Sequence, residues 1–378
     1  MAPAASSSEP TPAPTASAAM ADLALDNRES QKTALRRLLP DGANPSVIGD
    51  ADFDMTSSDY YFNSYAHFGI HEEMLKDDIR TLSYMRAIVQ NRHLFEGKVV
   101  MDVGCGTGVL SIFAAKAGAK KVYAVECSKI VDQARQIIAD NGFSDVIEVK
   151  ETKVEEMELP EKVDIIISEW MGYFLFYESM LDTVLFARDK WLKPGGLMFP
   201  DKATLYLCSI EDAQYKAEKI DFWDNVYGLN MSCIKSVALT EPLVDTVDPE
   251  QVMTNVCAVF PIDCATITVE ELSFAVPFKL TAIRNDYSHA LVAYFDIEFS
   301  HCLKPVSFVT GPHKKPTHWK QTVLYLDRAL PMEQGEVLEG TLACRPNRNN
   351  PRDLDIAIEY EFKGRHSEAK NLLRYRLR

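Results

Sequence analysis

Strand and helix patterns alternate along the chain from Val99, and this alternation restricts the fold more than any other feature of the sequence. The apolar run KVVMDVG is typical of a buried strand, and VLSIFAAKAG, which comes shortly after it, has the apolar spacing of a helix. The same order repeats in KVYAVE, SKIVDQARQIIADNG, DVIEVKE and KVDIIISE. Parallel strands joined by helices are buried on both faces, so the pattern predicts a doubly wound, Rossmann-like α/β domain.

Period-two strands replace this pattern after KPGGLMFPD, residues 193–201. In DLDIAIEYEF, five apolar side chains from Leu354 to Phe362 occupy every second position and therefore share one face, and HALVAYFDIEF is similar. The chain has 378 residues, which is more than one hydrophobic core usually serves. We therefore expect a second, β-rich domain that forms a barrel or a sandwich.

These patterns divide the chain into three segments. Residues 1–20 consist almost entirely of Ala, Pro, Ser and Thr, with Glu9 as the only charged residue, and cannot bury enough surface to order themselves. We expect this low-complexity tail to be disordered to about residue 50. We assign residues 51–200 to the doubly wound domain and residues 201–378 to the β-rich domain.

Composition narrows the class of protein. The formal net charge of −15 repels phosphate backbones and attracts basic polypeptides, so we expect cationic partners and no direct nucleic-acid substrate. The eight cysteines include no CxxC pair and no cluster at zinc spacing, and we predict neither disulfides nor a metal. The absence of a long uncharged apolar run and of a secretory signal predicts a soluble, intracellular protein without a membrane partner.

A glycine-rich loop follows the first predicted strand. DVGCGTG contains Asp102, Gly104 and Gly106 and ends at Gly108, and the absence of Cβ atoms lets the backbone turn tightly and approach a ligand. The GxGxG spacing differs from the GxGxxG that seats a pyrophosphate, which favours a phosphate-free cofactor. Glu126 ends the second strand, where a carboxylate accepts the hydroxyls of a ribose. Together they suggest S-adenosyl-L-methionine, against the alternative of a plain glycine turn beside a strand-end acid.

Two glutamates lie at the ends of the apolar run in SEWMGYFLFYES. Glu169 follows a strand at the ligand-binding edge of the predicted sheet, and Glu178 opens the next predicted helix. The structural alternative is that Glu178 only complements the helix dipole. If the ligand is a guanidinium, two carboxylates can grip its fork of donors, and aromatic walls such as Tyr173, Phe176 and Tyr177 suit its flat face.

The motifs resemble those of one family, from about residue 55 to the C-terminus. SEWMGYFLFYESM looks like the double-glutamate loop of protein arginine N-methyltransferases, DVGCGTG resembles their first cofactor motif, and THWKQ, residues 317–321, resembles their substrate-side loop. The resemblance is closest to the type I enzymes, which make monomethyl- and asymmetric dimethylarginine. It implies a methyltransferase domain with an N-terminal lid helix, followed by a β-barrel domain.

The resemblance also implies roles for individual residues. Glu169 and Glu178 are the catalytic clamp, and Asp77 pairs with His318 between the domains as a further catalytic pair. Tyr61, Trp319 and Met74 are placed at the substrate, and a YFxxY lid is formed by Tyr61, Phe62 and Tyr65. The residues implied to bind S-adenosyl-L-methionine, or its product S-adenosyl-L-homocysteine, are Tyr65, His71, Met74, Arg80, Asp102, Gly104, Gly106, Glu126, Glu155 and Met180.

Residues 211–235 place a helix-like stretch between early strands of the β-rich domain, with Trp223, Tyr227 and Met231 spaced by four. An ordinary helix lying on its own barrel is one interpretation. The family resemblance implies instead a dimerisation arm at about residues 211–239 and a head-to-tail homodimer. It also implies basic, arginine-containing partners such as Arg/Gly-rich proteins, RNA-binding proteins and histones, in the cytoplasm and nucleus.

Charge suggests the mechanism. A sulfonium methyl donor and a guanidinium are both cations, so two carboxylates offset their repulsion while the site holds them in line for direct transfer. A DNA or RNA base methyltransferase would carry an N/D-P-P-Y-like loop where this chain has SEWMGY. A methyltransferase acting on a small-molecule guanidine and a non-catalytic scaffold that retains the fold are the remaining alternatives.

Overall fold

A computed structural model describes residues 28–41 and 67–378. A five-stranded parallel sheet forms in the first half of the chain, with strand order β3-β2-β1-β4-β5. Strand β1 is central, and the chain winds outward from it in both directions, so the ends of β1 and β4 form the switch point where open α/β sheets bind ligands. The strands are β1 (Val99–Val103), β2 (Lys121–Glu126), β3 (Ile147–Glu151), β4 (Val163–Ser168) and β5 (Leu192–Phe199).

The helices of the described ranges are mostly short. No helix in residues 28–41 or 67–378 is both long and apolar enough to cross a membrane. In chain order the helices are α1 (Arg28–Leu38), α2 (Phe68–Lys76), α3 (Asp78–Val89), α4 (Arg92–Phe95), α5 (Val109–Lys116), α6 (Val131–Asp140), α7 (Met180–Trp191), α8 (Ala213–Lys219) and α9 (Ser232–Ala238).

Two antiparallel sheets make up the second half. One has the order β7-β12-β10-β6-β8 with β11 paired to β10, and the other has the order β15-β14-β13-β9. Their strands are β6 (Lys202–Ile210), β7 (Leu243–Asp245), β8 (Cys257–Asp263), β9 (Phe274–Thr281), β10 (Asp286–Phe299), β11 (Val306–Val309), β12 (Gln321–Met332), β13 (Val337–Pro346), β14 (Leu354–Lys363) and β15 (Glu368–Leu377). The predicted α/β domain followed by a β-barrel domain is confirmed, while the boundaries at residues 50 and 200 stay predictions.

A continuous apolar core joins the parallel sheet to the barrel. Tyr84 of α3 packs edge-on against Phe299 of β10 with ring centroids 4.9 Å apart. Phe199, at the end of β5, contacts Phe95 with centroids 5.1 Å apart. Protein interiors are close-packed and hardly compressible, so this core holds the carboxyl edge of the sheet in a fixed position relative to the barrel strands that face it.

The expected disordered tail is wrong for residues 28–41. These residues contain α1, which lies on the outer face of the barrel sheet, where Leu38 and Leu39 are fully buried. They pack with Ala275, Ala343 and Ala357, whose small side chains leave space for the helix. The composition favoured disorder because this segment has few apolar residues, which cannot form a core of their own. The face of the barrel buries them instead. Residues 1–27 and 42–50 of the predicted tail lie outside the described residues.

The helical stretch predicted within residues 211–239 is not one helix. It consists of α8, a 3₁₀ turn at Asp221–Asp224, a tight turn near Tyr227 and α9. Tyr227 has a positive φ of 54° and is fully exposed, and Met231 precedes α9, so the spacing by four of Trp223, Tyr227 and Met231 does not describe a helix face. Tyr227, in the left-handed conformation, and Gly228 after it interrupt the helix that the apolar periodicity predicted to continue.

Candidate active site

The glycine loop lies directly after β1. Gly104, Gly106 and Gly108 all have positive φ, at 72°, 54° and 80°, which side-chain-bearing residues adopt only with strain. A Cβ atom on Gly104 would collide with the end of the Met180 side chain, and one on Gly106 would lie 3.4 Å from His71. The glycines therefore allow both the turn of the chain and the close approach of side chains above it.

Glu126 anchors this loop from the end of the neighbouring strand β2. Its carboxylate accepts hydrogen bonds from the backbone N–H of Gly106 at 2.9 Å, Cys127 at 2.9 Å and Ser128 at 2.8 Å. Hydrogen bonds to an ionised acceptor are stronger than neutral ones. The residue predicted to bind a ribose thus also fixes the backbone around the predicted cofactor position.

Asp102 is fully buried beneath the loop. Ser111 donates a hydrogen bond of 2.7 Å to Oδ2, while Oδ1 has no hydrogen-bond partner among the described residues. Burial raises the pKa of the Asp102 carboxyl to about 7, although the Ser111 hydrogen bonds act in the opposite direction. Asp102 does not line the cavity described below, and its hydrogen bond to Ser111 ties the end of β1 to α5 beneath the loop.

This pKa predicts a pH-dependent stability difference between the native chain and an Asp102→Asn variant. The folded pKa lies above the unfolded value of 3.8, so the folded state binds the proton more tightly and loses stability as pH rises toward 7. Since asparagine does not titrate, the free energy of unfolding of the variant relative to the native chain should increase from pH 5 to pH 7, by at most about 1.4 kcal/mol per pH unit. Urea unfolding of both proteins across this range measures it, and a constant difference would contradict it.

One cavity of about 480 Å³ opens at the carboxyl edge of the parallel sheet. Both clamp candidates, Glu169 and Glu178, line it. The sequence-predicted residues that share this lining are His71, Met74, Arg80, Gly104, Gly106, Glu126, Glu155, Glu169, Glu178, Met180 and His318. The structure therefore brings eight of the ten predicted cofactor residues and the two carboxylates into one space.

Glu169 is held in place by an ion pair with Arg80. Nε of Arg80 donates to Glu169 Oε2 at 2.8 Å, and both side chains are more than nine-tenths buried. Nη1 of Arg80 donates to the carbonyl of Met74 at 3.2 Å. The resemblance places Arg80 on the carboxylate of the cofactor, whereas in this structure its contact is with the first clamp glutamate. A buried pair of this kind costs desolvation energy and fixes geometry in return.

Asp77 and His318 form the predicted carboxylate–imidazole pair. Oδ2 of Asp77 lies 2.8 Å from Nδ1 of His318 and accepts the His318 backbone N–H at 2.9 Å, while Oδ1 caps α3 through the backbone N–H of Arg80. Burial acts to raise the pKa of Asp77, but the hydrogen bonds from His318 and Arg80 outweigh it and the pKa is lowered. The ionised carboxylate accepts from Nδ1–H, which leaves Nε2 as the acceptor of the ring.

Glu178 sits in a strained loop before α7. The predicted helix start at Glu178 is wrong by two residues, because α7 begins at Met180 and Glu178 has a φ of 77°. Phe174, Leu175 and Ser179 also have positive φ. Left-handed non-glycine residues are costly and persist only where surrounding contacts enforce them, and such strain concentrates at functional sites.

Arg352 supplies those contacts and was not predicted from the sequence. The backbone N–H of Glu178 donates to the Arg352 carbonyl at 2.8 Å, and Nη1 of Arg352 donates to the Glu178 carbonyl at 2.8 Å. Arg352 also lines the cavity. It lies between β13 and β14, 174 positions from Glu178, and no motif surrounds it, so only the fold reveals its proximity.

Several predicted residues lie elsewhere. Trp319, predicted at the substrate, is buried outside the cavity lining, where it donates to the Met171 carbonyl at 2.7 Å and packs on Phe308. Phe176 packs against Phe274 of the barrel, and Tyr173 and Tyr177 stack on each other outside the cavity lining. Aromatic walls for a guanidinium therefore stay a prediction. Glu155 lines the cavity and accepts a hydrogen bond from Thr183 at 2.8 Å. Tyr61, Phe62 and Tyr65 lie outside the described residues.

Comparisons with known proteins agree with this arrangement. A family model described as "Arginine methyltransferase oligomerization subdomain" matches residues 201–365, and one described as "Ribosomal protein L11 methyltransferase (PrmA)" matches residues 27–184. Protein arginine N-methyltransferase 1 of Chlamydomonas reinhardtii is 58% identical over 338 residues, covering 89% of this chain and 98% of the relative. Protein arginine N-methyltransferase 1.1 of Arabidopsis thaliana is 56% identical over 339 residues, covering 89% and 87%.

Solved structures give the same result. The Trypanosoma brucei PRMT1 enzyme–prozyme heterotetrameric complex with AdoHcy contains a chain that is 51% identical with a TM-score of 0.82, covering 83% of this chain and all of that one. Arabidopsis thaliana protein arginine methyltransferase 10 is 32% identical with a TM-score of 0.76, covering 84% and 100%. The cavity, the three sheets and these similarities together show that the chain belongs to the protein arginine N-methyltransferase family.

Proposed function

We propose that this chain transfers methyl groups from S-adenosyl-L-methionine to the guanidinium nitrogens of protein arginines and forms monomethyl- and asymmetric dimethylarginine. The observation that carries the proposal is that Glu169 and Glu178 line the same cavity as the glycine loop and Glu126. The cavity thus combines a site for a nucleoside-containing methyl donor with two acids that can hold a planar cation.

The cofactor residues fit S-adenosyl-L-methionine. The glycine loop leaves space for a close approach, and the Glu126 carboxylate lies at the strand end where ribose hydroxyls are bound. Glu155 and His71 line the same cavity on other sides. When bound, the cofactor supplies a methyl group on a positively charged sulfur, and the product left behind is S-adenosyl-L-homocysteine.

The two glutamates prepare the arginine for attack. Their negative charge offsets the repulsion between two cations, and in a cavity of low dielectric this interaction is stronger than in water. Arg80 fixes Glu169, and Arg352 fixes the backbone of Glu178, so neither acid has to reorganise when the substrate arrives. Positioning of the reacting nitrogen supplies much of the rate enhancement in transfers of this type.

The proton released from the methylated nitrogen has two acceptors at the cavity. Glu178 lines the cavity directly, and His318 does so with Nδ1 bonded to Asp77. Because Nδ1 of His318 is bonded to Asp77, Nε2 is the ring nitrogen that can take a proton and pass it on through water. Methylation of a guanidinium gives a transient dication, which the two carboxylates stabilise until one proton leaves and a singly charged methylguanidinium remains.

The product pattern is proposed from two methionines. Met74 and Met180 both line the cavity, and Met180 lies directly over Gly104 beside the glycine loop. Their slender, flexible side chains leave room for a methyl group that is already present on the nitrogen, so the same nitrogen can be methylated a second time. This supports a second transfer to the same nitrogen, which gives the asymmetric dimethyl product of type I enzymes.

A second copy of the chain is the proposed partner in assembly. The match to the oligomerization subdomain covers the arm, which exposes Phe222, Tyr227 and Leu229, and α2 of the first domain exposes Phe68 and Leu75. Apolar exposure on both elements supports a homodimer in which each arm at about residues 211–239 docks on the cofactor domain of the other copy. Static light scattering should give twice the mass of one chain, and a strict monomer would contradict it.

The protein substrates are proposed as basic, arginine-containing proteins, such as Arg/Gly-rich proteins, RNA-binding proteins and histones. The net charge of −15 supports this choice, because an acidic surface attracts cationic chains and raises their encounter rate. We further propose the cytoplasm and nucleus as the site of action, since these substrates occur there. Imaging of the tagged chain in cells tests that location, and confinement to another compartment would contradict it.

Methyl transfer to an Arg/Gly-rich peptide tests the function directly. With radiolabelled S-adenosyl-L-methionine, the purified chain should label the arginine peptide and leave a peptide with lysine in place of arginine unlabelled. Fragment ions in mass spectrometry should identify asymmetric dimethylarginine, and symmetric product ions would overturn the type I assignment. Intact cofactor binding without any transfer would favour the scaffold alternative, and transfer only to free guanidines would favour a small-molecule enzyme.

A further inference from the structure

The N-terminal strap, which we define as residues 28–41, lies across three strands of the barrel. Ala343 of β13 pairs directly with Ala275 of β9 on one side and with Ala357 of β14 on the other, and the three form a row of small side chains across the sheet. Leu38 and Leu39 pack on this row and are fully buried. The row of alanines is therefore the docking site of the strap on the surface of the sheet.

Polar contacts fix the orientation of the strap on the row of alanines. Both guanidinium NH2 groups of Arg37 donate to the Glu359 carboxylate, at 2.6 and 2.7 Å. Nε of Arg374 donates to the Leu38 carbonyl at 2.8 Å. Forked arginine–carboxylate pairs are directional as well as strong, so the last turn of α1 has one orientation.

The C-terminal end of the strap contacts the segment that leads into the β13–β14 loop, residues 347–353. Asp41 forms ion pairs with Arg345, at 3.7 Å, and with Arg348. The Arg345 side chain also donates to the carbonyl of Pro40 at 3.5 Å. Ion pairs as exposed as the one between Asp41 and Arg348 contribute little to stability, so the buried leucines carry the docking, and the Asp41 pairs join the end of the strap to Arg345 and Arg348.

Hydrogen bonds inside the loop connect Asn347, the chain neighbour of Arg348, to Arg352 by way of Asn350. Oδ1 of Asn347 accepts the backbone N–H groups of Asn349 and Asn350 at 2.9 and 3.0 Å. Oδ1 of Asn350 in turn accepts the backbone N–H of Arg352 at 3.1 Å. Asparagine side chains that bond their own backbone in this way stabilise a single loop conformation.

The far end of the loop holds the second clamp glutamate. Arg352 makes two hydrogen bonds of 2.8 Å to the backbone of Glu178, and the Ser179 hydroxyl donates to the Pro351 carbonyl at 2.5 Å. Glu178 and Ser179 both have positive φ and relax unless these contacts hold them. A continuous set of contacts thus leads from Asp41 to the backbone of Glu178.

We infer that the N-terminal strap positions Glu178 through the β13–β14 loop, with Asp41, Arg348 and Arg352 as positioning residues for methyl transfer. This inference rests on the proposed function, because the strap acts only on the acid that grips the arginine. The strap has no contact with the glycine loop or with Glu126 among the hydrogen bonds and ion pairs of residues 28–41 and 67–378. Its release should therefore lower turnover and leave cofactor affinity unchanged.

The test compares an undocked strap with an intact one in the full-length chain. Replacing both Leu38 and Leu39 by serine removes the apolar anchor and leaves the alanine row exposed, which adds little apolar surface. The matched control replaces Glu29 and Lys32, which are exposed on the same helix, by serine and keeps the net charge. We expect kcat on an Arg/Gly-rich peptide to fall by about three- to tenfold in the undocked variant only. The dissociation constant of S-adenosyl-L-homocysteine should stay the same.

A double-mutant cycle tests whether the effect passes through Arg352. Asp41→Ala should lower kcat about threefold in the native background and have a clearly smaller effect in an Arg352→Ala background, because that variant has already lost the side-chain hydrogen bond to the Glu178 carbonyl and keeps only the backbone contacts. Asp41→Glu, which keeps the charge, should restore most of the activity. Circular dichroism melts check folding, and if the undocked variant does not fold, the Asp41 cycle alone decides.

The outcomes separate two kinds of failure. An unchanged kcat in the folded undocked variant, or an equal Asp41→Ala effect in both backgrounds, overturns the inference and leaves the proposed function intact. A native chain that binds the cofactor and transfers no methyl group overturns the proposed function itself. A raised peptide KM with unchanged kcat would indicate a substrate contact of the strap and would also overturn the inference.

Discussion

Replacement of Glu178 by glutamine should lower kcat by at least about a hundredfold while S-adenosyl-L-methionine binds as before. The amide has the size of the carboxylate but carries no charge, so one of two acids facing the guanidinium is lost. The backbone of residue 178 keeps its hydrogen bonds to Arg352, so the loop should retain its shape. The expected loss is therefore in turnover, measured with saturating peptide and cofactor.

A control for net charge is available on the same domain. Glu161→Gln removes one negative charge from an exposed turn outside the cavity lining and should leave kcat unchanged. Calorimetric titration with S-adenosyl-L-homocysteine shows whether the cofactor site is intact in both variants. A Glu178→Gln enzyme with normal turnover would remove the basis of the two-carboxylate mechanism.

Replacement of Glu126 by alanine should weaken cofactor binding by about a hundredfold or more, since two charge-assisted hydrogen bonds to ribose are worth roughly 1.5–3 kcal/mol each. The change also removes the acceptor of three backbone N–H groups, including that of Gly106. The glycine loop would then lose its anchor as well as its ligand contact. Titration with S-adenosyl-L-homocysteine measures the loss directly.

Glu126→Gln is the matched comparison for this site. It retains one acceptor oxygen and the length of the side chain, so its affinity should lie between those of the native and alanine proteins. Thermal unfolding without cofactor should change modestly in both variants, because Glu126 lies at the cavity and outside the apolar core. Native affinity in the alanine variant would show that the ribose is bound elsewhere.

The parallel sheet and much of the cavity could be predicted because their signals are local. Buried strands of β1, β2 and β4 appear as apolar runs, and parallel strands bring their carboxyl ends to one edge. Asp102 and the glycines follow from the end of β1, Glu126 from the end of β2 and Glu169 from the end of β4. Glu178 could be placed beside them because a short loop links it to Glu169, and both line the cavity.

The remaining features depend on contacts between distant segments. Arg352 reaches Glu178 only because the barrel folds back over the sheet edge, and no periodicity marks it. Trp319 belongs to a recognisable motif, but its indole serves packing and a hydrogen bond to Met171. The order of residues 28–41 depends on a row of alanines drawn from β9, β13 and β14, which no local window of sequence contains.

The dependence of Glu178 on the β13–β14 loop also has a consequence for protein synthesis. The first domain emerges from the ribosome first and can fold while the barrel is still being translated. Its second acid, however, acquires its backbone partner only after Arg352, 174 positions further along the chain, has been synthesised. The cofactor-binding residues of the first domain are therefore synthesised well before the contact that holds the second acid in place.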